Sequence, residues 1–207
     1  MMSSLPYSPR WREQLLALLD EAFGAEYHAY YVRQVDHWGR LAPEEMRLRT
    51  DETGERLVAY MLTAGYEKSE DHGRYAYLYC VCTLKSRRGK GIMSRFVREE
   101  CRRLCEEGYH GVALIPSSVG LVDFYAPLGF ERIETPIYHT APLSLADKLL
   151  RPGRVVAGYL ASLPSSDPDY PVASDADGGI RLCPPAGWMF LSLRSPAPVP
   201  TLLQPLT

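Results

Sequence analysis

Arg88-Gly89-Lys90-Gly91-Ile92-Met93-Ser94 joins an apolar run to a helical pattern, and its residue types suit the binding of a diphosphate. Glycine lets a backbone N–H approach a phosphate oxygen with no Cβ in the way. The start of a helix leaves its first amides without intrahelical acceptors and carries the positive end of the helix dipole. Arg88 and Lys90 add positive charge beside the same anion, and an arginine can grip two oxygens at once. On these grounds Arg88, Gly89, Lys90, Gly91, Ile92, Met93 and Ser94 are the candidate anion-binding residues. Two familiar phosphate motifs do not fit. The glycines lie two apart with Lys90 between them, unlike G-x-x-x-x-G-K-[ST], and Ser94 stands where G-x-G-x-x-G needs its third glycine. A basic surface turn before an ordinary helix is the plain alternative.

The elements around this turn follow from periodicity. Met93, Phe96, Val97, Cys101, Leu104 and Cys105 form a helical stripe, with Arg95, Arg98, Glu99, Arg102 and Glu106 on other faces and Gly108 as a stop. Before the turn, residues 74–84 alternate: Tyr75, Tyr77, Tyr79, Val81 and Thr83 on one face, Ala76, Leu78, Cys80, Cys82 and Leu84 on the other. Neither face is charged, as expected of a strand buried on both sides. Those tyrosines suit an acceptor pocket and plain core packing equally well. Gly111 to Pro116 reads as a short parallel partner strand, ended by Pro116. Ser117-Ser118 can cap a helix over roughly Gly120 to Leu128, followed by a strand from Glu131 to His139.

Together these features resemble the GNAT superfamily of N-acyltransferases, whose acyl-CoA motif is [Q/R]-x-x-G-x-[G/A]. Arg88 and Gly91 match it; Met93 departs from it, and chains reading R-G-K-G-I-M look like a branch of the superfamily. The second signature is Tyr-x-x-x-Gly-Phe after a βα unit, here Tyr125-Ala126-Pro127-Leu128-Gly129-Phe130. The resemblance covers about residues 45–140 well and the ends poorly. It implies an α/β (α+β) fold: a mixed, mostly antiparallel twisted sheet flanked by helices, with a splayed parallel strand pair. It further implies that Val81, Cys82 and Thr83 meet the pantetheine arm of acetyl-CoA. Tyr125 would protonate the departing thiolate; a core aromatic packed on Phe124 and Phe130 is the competing role. A thiol of ordinary pKa makes a fair leaving group, and a nearby phenol can supply the proton as the C–S bond breaks.

Composition bounds the rest. The 207 residues suffice for one full core, with 46% hydrophobic and 23% charged residues. A net charge of −2 argues against general nucleic-acid binding despite the basic stretch Lys85 to Lys90. The opening residues show no basic region before an apolar core, and no 18-residue apolar run occurs, so a cytoplasmic chain without a membrane span is expected. Five cysteines outside any small disulfide-rich context read as reduced. A four-thiolate zinc site from Cys80, Cys82, Cys101 and Cys105 lacks knuckle spacing, so no metal is expected. Cys82 as an acyl-carrying nucleophile has no evident activating base.

Toward the N-terminus, Pro9 to Phe23 reads as an amphipathic helix closed by Gly24, and Tyr27 to Trp38 as a second one closed by Gly39. The resemblance makes His28, Asp36 and His37 candidates for acceptor contact, with ordinary helix packing as the alternative. Met46 to Thr50 and Arg56 to Tyr66 form a hairpin around Asp51-Glu52-Thr53-Gly54. Glu67 is a candidate general base or a solvated strand-end charge. Beyond residue 140 lie eleven of the 17 prolines. Ser144 to Asp147 resembles a capping box, Arg154 to Leu163 a helix, Pro164 to Gly179 a polar loop and Gly187 to Arg194 a last strand.

The expected organisation is a single domain over 1–207. Its core spans about 10–140, with a segment at 141–186, a closing strand at 187–195 and a proline-rich tail at 196–207. The expected function is acetyl-CoA-dependent acetylation of a primary amine, on a small molecule or a peptide, by direct attack on the thioester. A different acyl donor, a hydroxyl acceptor, or a non-catalytic acyl-CoA-binding module are the alternatives. A homodimer is left open.

Overall fold

Leucines at helical spacing build the first element. Helix α1 (Arg12–Phe23) follows a 3-10 turn, Pro9–Trp11, and buries Leu15, Leu16, Leu18 and Leu19. It stops at Gly24, whose φ of 115° breaks the helix while its N–H still reaches the Asp20 carbonyl at 3.0 Å. The computed structural model describes residues 4–67, 74–133, 137–139, 172–174, 179–182 and 188–193.

The other elements are strand β1 (Ser4–Pro6), helix α2 (His28–Leu41), β2 (Met46–Thr50), β3 (Leu57–Glu67), β4 (Arg74–Thr83), α3 (Ile92–Glu106) and β5 (Gly111–Leu114). Then come the short α4 (Val122–Tyr125), β6 (Glu131–Ile133), β7 (Ile137–His139), β8 (Val172–Ser174), β9 (Gly179–Leu182) and β10 (Trp188–Ser192). Seven strands join in the order β1-β2-β3-β4-β5-β10-β6, and β7-β9-β8 form a separate sheet. The larger sheet is mixed: β4 and β5 are its parallel pair, while β1/β2, β2/β3, β5/β10 and β10/β6 run antiparallel.

Two compact units divide the chain, Met1–Ala64 with Leu78–Arg103 and Gly65–Tyr77 with Leu104–Thr207. In the first, the β2/β3 hairpin pairs Met46 with Leu62 and Leu48 with Tyr60. Alternation along Met46-Arg47-Leu48-Arg49 buries Met46 and Leu48 and turns Arg47 and Arg49 to α3. There the Arg49 guanidinium stacks 4.7 Å from the Phe96 ring and pairs with Glu99. Glu100 is 1% exposed and takes Arg47 Nε at 3.1 Å, Arg103 Nε at 2.8 Å and the Ser4 hydroxyl. This carboxylate ties β1, β2 and α3 into one body.

In the second unit β10 lies between β5 and β6, with Phe190 opposite Ala113. A Cβ on Gly111 would meet the Phe190 ring at 2.1 Å, so only glycine lets the ring cross that strand. Arg74 stacks on Tyr109 at 4.4 Å and donates to the Glu107 carbonyl at 2.8 Å.

Several expectations need correction. Gly39 does not close α2, which runs on to Leu41 until Pro43 forbids another turn. Gly39 is there for contact: a Cβ would sit 2.7 Å from the Tyr7 ring. Glu131 to His139 is not one strand; β6 and β7 belong to different sheets, and Pro136, which has no N–H to donate, falls between them. Pro164 to Gly179 contains β8 rather than loop alone. Ser118 makes no side-chain cap, and the stretch after it is 3-10 turn, one turn of α-helix and 3-10 turn again. The capping box at Ser144, the helix at 154–163 and the tail at 196–207 lie outside the described residues.

The buried Glu100 gives a direct test. Glu100→Gln keeps shape but leaves two guanidinium groups without their shared counter-charge. We expect a loss of about 3 kcal/mol in urea unfolding at unchanged slope. A loss below about 1 kcal/mol would mean that solvent screens Arg47 and Arg103 without the carboxylate.

Candidate functional site

Strand β4 ends by locking itself to its neighbours. The Leu84 N–H donates to the Val58 carbonyl at 3.0 Å, and the Lys85 N–H donates to the Glu21 carboxylate of α1 at 2.5 Å. A 3-10 turn follows over Lys85–Arg87, closed by Arg87 N–H to the Leu84 carbonyl at 2.9 Å. Arg88 is extended, and its Nε donates back to the Thr83 carbonyl at 3.1 Å.

Gly89 at φ 73° and Gly91 at φ 67° then take left-handed backbone on either side of Lys90. Space does not require these glycines: a Cβ on Gly89 meets nothing, and one on Gly91 meets only the mobile end of Arg95 at 3.2 Å. The backbone sign requires them. Helix α3 begins at once, so the amides of Ile92, Met93 and Ser94 have no acceptor in their own helix. Gly89, Lys90 and Gly91 are exposed just ahead of them. The result is a run of N–H groups at a dipole's positive end, beside Arg88 and Lys90. Ile92 is buried and Met93 half-buried, so the helix start is held by packing.

The strand itself is not regular. Cys80 has a φ of 51° and alone among the described non-glycine residues takes a positive value. The alternation expected over 74–84 therefore breaks at Cys80. Tyr75 to Leu78 are buried, residues 79–81 half-buried, and Cys82 and Thr83 buried again. Tyr79 and Tyr30 of α2 bring their hydroxyls to 3.0 Å. Burial pushes the Cys80 thiol up to about 12 and the Cys82 thiol well above its ordinary value. Burial thus disfavours both thiolates, which argues against Cys82 as a covalent acyl carrier. Among the described residues no group of three or more His, Cys, Asp or Glu side chains could hold a metal.

The acceptor-side candidates fall in different places. Asp36 is held by Arg12 at 2.8 and 3.0 Å, and this hydrogen-bonded pair lowers its pKa. His28 Nδ1 lies 2.7 Å from Asp20 Oδ2. His37 Nε2 is buried with no hydrogen-bond partner among the described residues. Glu67 ends β3, and its side chain is outside the described residues. In the second unit Tyr125 closes α4 and is buried, its ring set edge-on to Phe124 at 4.9 Å and to Phe130 at 5.7 Å. Gly129 at φ 96° makes the bend that returns Phe130 to it.

Three features escaped the sequence: the Glu21 cap on Lys85, the Tyr30–Tyr79 pair and the buried Glu100. The first two join residues far apart in the chain, and no spacing announces them. Glu100 had a signal, since it falls four residues after Phe96 on the apolar stripe.

Residues 7–133 match the family model described as the acetyltransferase (GNAT) domain. No curated protein matches the chain. Among solved structures, the GNAT family N-acetyltransferase YhbS of Escherichia coli in complex with CoA superposes with a TM-score of 0.56 at 16% identity, over 93% of this chain and 82% of that one. The ribosomal-protein-S18-alanine N-acetyltransferase of E. coli gives 0.53 at 12% identity, over 95% and 97%. The NatC complex bound to Gag peptide and CoA gives 0.54 at 14%, over 93% and 99%. At these identities the likeness shows the fold alone. No helix among the described residues is long and apolar enough to cross a membrane.

The His37 environment makes a pH prediction. Burial, then Arg40, pushes its imidazole below the ordinary value, so the unfolded chain takes up a proton first as pH falls. Stability is thus full above the unfolded value, near 6.5, and declines as pH drops below it. Thermal unfolding between pH 7.5 and 5.5 should show that decline in the wild type and a flatter profile in His37→Gln. Parallel profiles would contradict it.

Proposed function

Given that the chain belongs to the GNAT acetyltransferase family, we propose that it transfers the acetyl group of acetyl-CoA to a primary amine. The observation that carries this reading is the turn Arg88 to Ser94, where left-handed Gly89 and Gly91 expose amides at the start of α3. In this reading the diphosphate sits on the amides of Gly89 to Ser94, with Arg88 and Lys90 beside it. The pantetheine arm runs along Val81, Cys82 and Thr83, whose strand amides also offer hydrogen bonds to the developing oxyanion. A neutral amine attacks the thioester carbonyl. Tyr125 delivers its proton to the thiolate as the C–S bond breaks. The aromatic packing of Tyr125 on Phe124 and Phe130 supports that role by fixing the ring.

Peptide acceptors belong in the test beside small amines, because the similar structures include one bound to Gag peptide and one that acts on an alanine of ribosomal protein S18. The test is thiol release from acetyl-CoA across a panel of small primary amines and peptides with free N-termini. Turnover is expected with at least one of them. Tyr125→Phe should lower it about 10²-fold while acetyl-CoA affinity stays within about twofold. Unaltered turnover would return Tyr125 to packing alone. Acetyl-CoA binding with no thiol release for any amine would make the chain a non-catalytic acyl-CoA-binding module instead.

A further inference from the structure

The proposed reaction needs a route for the proton that the attacking amine must lose, and β4 carries no Asp, Glu or His between Arg74 and Thr83. What β4 does carry is a kink. A non-glycine residue at φ 51° is strained, and such strain persists where its surroundings over-determine it. Its consequence is geometric. In a regular strand, neighbouring side chains point to opposite faces. Here the left-handed Cys80 breaks that alternation directly after Tyr79. Tyr79 Oη meets Tyr30 Oη at 3.0 Å. Beside the kink, a phenol–phenol pair thus joins β4 to α2 within one unit.

The surroundings select which members can act. Tyr60 of β3 is 4% exposed, and burial, then the neighbouring Cys80, Cys82, Tyr30 and Tyr7, pushes its phenol well above the ordinary value. Glu21 of α1 and Arg88 act on Cys82 from the turn side. Burial keeps Tyr60, Cys80 and Cys82 protonated, and no imidazole joins them. Tyr79 and Tyr30 are both half-buried, so each has one side toward the interior and one within reach of solvent. Tyr79 also stands two residues before Val81, where the proposed thioester-binding stretch begins.

We infer that the Tyr79–Tyr30 pair is the proton relay for the acceptor amine, with Tyr79 touching the amine nitrogen and Tyr30 passing the proton to water. The N–H bond of the ammonium, or of its first adduct with the thioester, breaks as a new O–H bond forms at Tyr79 Oη. The proton already on Tyr79 moves to Tyr30 Oη, and the one on Tyr30 leaves to solvent. No net charge stays on either ring, so neither phenol needs an unusual ionisation. Cys80 acts as a positioning residue through its left-handed backbone, which sets the direction of the strand at Tyr79. This inference rests on the acetyl-transfer reading above.

The test uses the full chain, acetyl-CoA and the fastest primary amine of the panel, with Tyr79→Phe, Tyr30→Phe and the double variant. Each single variant should lose about tenfold or more in kcat/KM for the amine at pH 7. The double variant should lose no more than the worse single one, because breaking either link breaks the relay. The wild-type rate should level off below the amine's own pKa, whereas the variants should climb until the free amine is itself deprotonated to the neutral form. Calorimetric affinity for acetyl-CoA should not change in any of them. Losses that multiply in the double variant, or pH profiles parallel to the wild type, would overturn the relay and leave the pair as packing. A wild-type protein that binds acetyl-CoA but acetylates no amine overturns the transfer reading, and the relay with it.

Discussion

Backbone amides can hold a diphosphate only if they point at one place before the ligand arrives, since ordering them afterwards would consume the binding energy. Around Gly89 and Gly91 the chain meets this constraint from three directions. Behind the turn, Leu84 and Lys85 are fixed to β3 and to Glu21 of α1. Ahead of it, α3 is pinned by the buried Glu100 with Arg47 and Arg103, and by Phe96 under Arg49. Between them, the two left-handed glycines set the direction of the amides. A buried charge cluster deep under α3 thus has a consequence at the helix start, because a pinned helix cannot carry its first amides away.

The same logic bears on β4. A strand that ran straight to the turn would present its side chains in strict alternation, with Tyr79 and Cys80 on opposite faces. The left-handed Cys80 abandons that alternation just before the stretch assigned to the cofactor. The strain is small beside the stability of a domain of this size, and it lies next to the Tyr79 hydroxyl that meets Tyr30. Burial makes the thiols inert, which leaves the phenols as the groups that can exchange protons there.

Local pattern carried much of this into the sequence. Leu15 to Leu19, the β2/β3 hairpin and the turn of Arg88 to Ser94 are legible because helix period, strand alternation and glycine placement are written in adjacent residues. The departures share one cause: tertiary contact decided them. Gly39 looks like a helix stop but answers to the Tyr7 ring. Glu131 to His139 looks continuous until two sheets claim its halves. Cys80 looks like one more strand residue, and nothing in its type announces a positive φ. Of the candidate site, the turn and helix start at Arg88 to Ser94 were readable, while Glu21, Tyr30 and Tyr79 depended on which helix packs on which strand.

The central claim is that the turn binds the diphosphate of an acyl-CoA, and calorimetric titration of the full chain with acetyl-CoA tests it most directly. The wild type should bind with micromolar affinity, and Gly91→Glu should abolish binding while the protein still unfolds cooperatively, a few degrees lower for the strain of a side chain at positive φ. The variant puts a carboxylate and a Cβ at the left-handed position that the proposed diphosphate would face. Equal affinity in the two proteins, or no binding by the wild type at millimolar acetyl-CoA, would contradict the account.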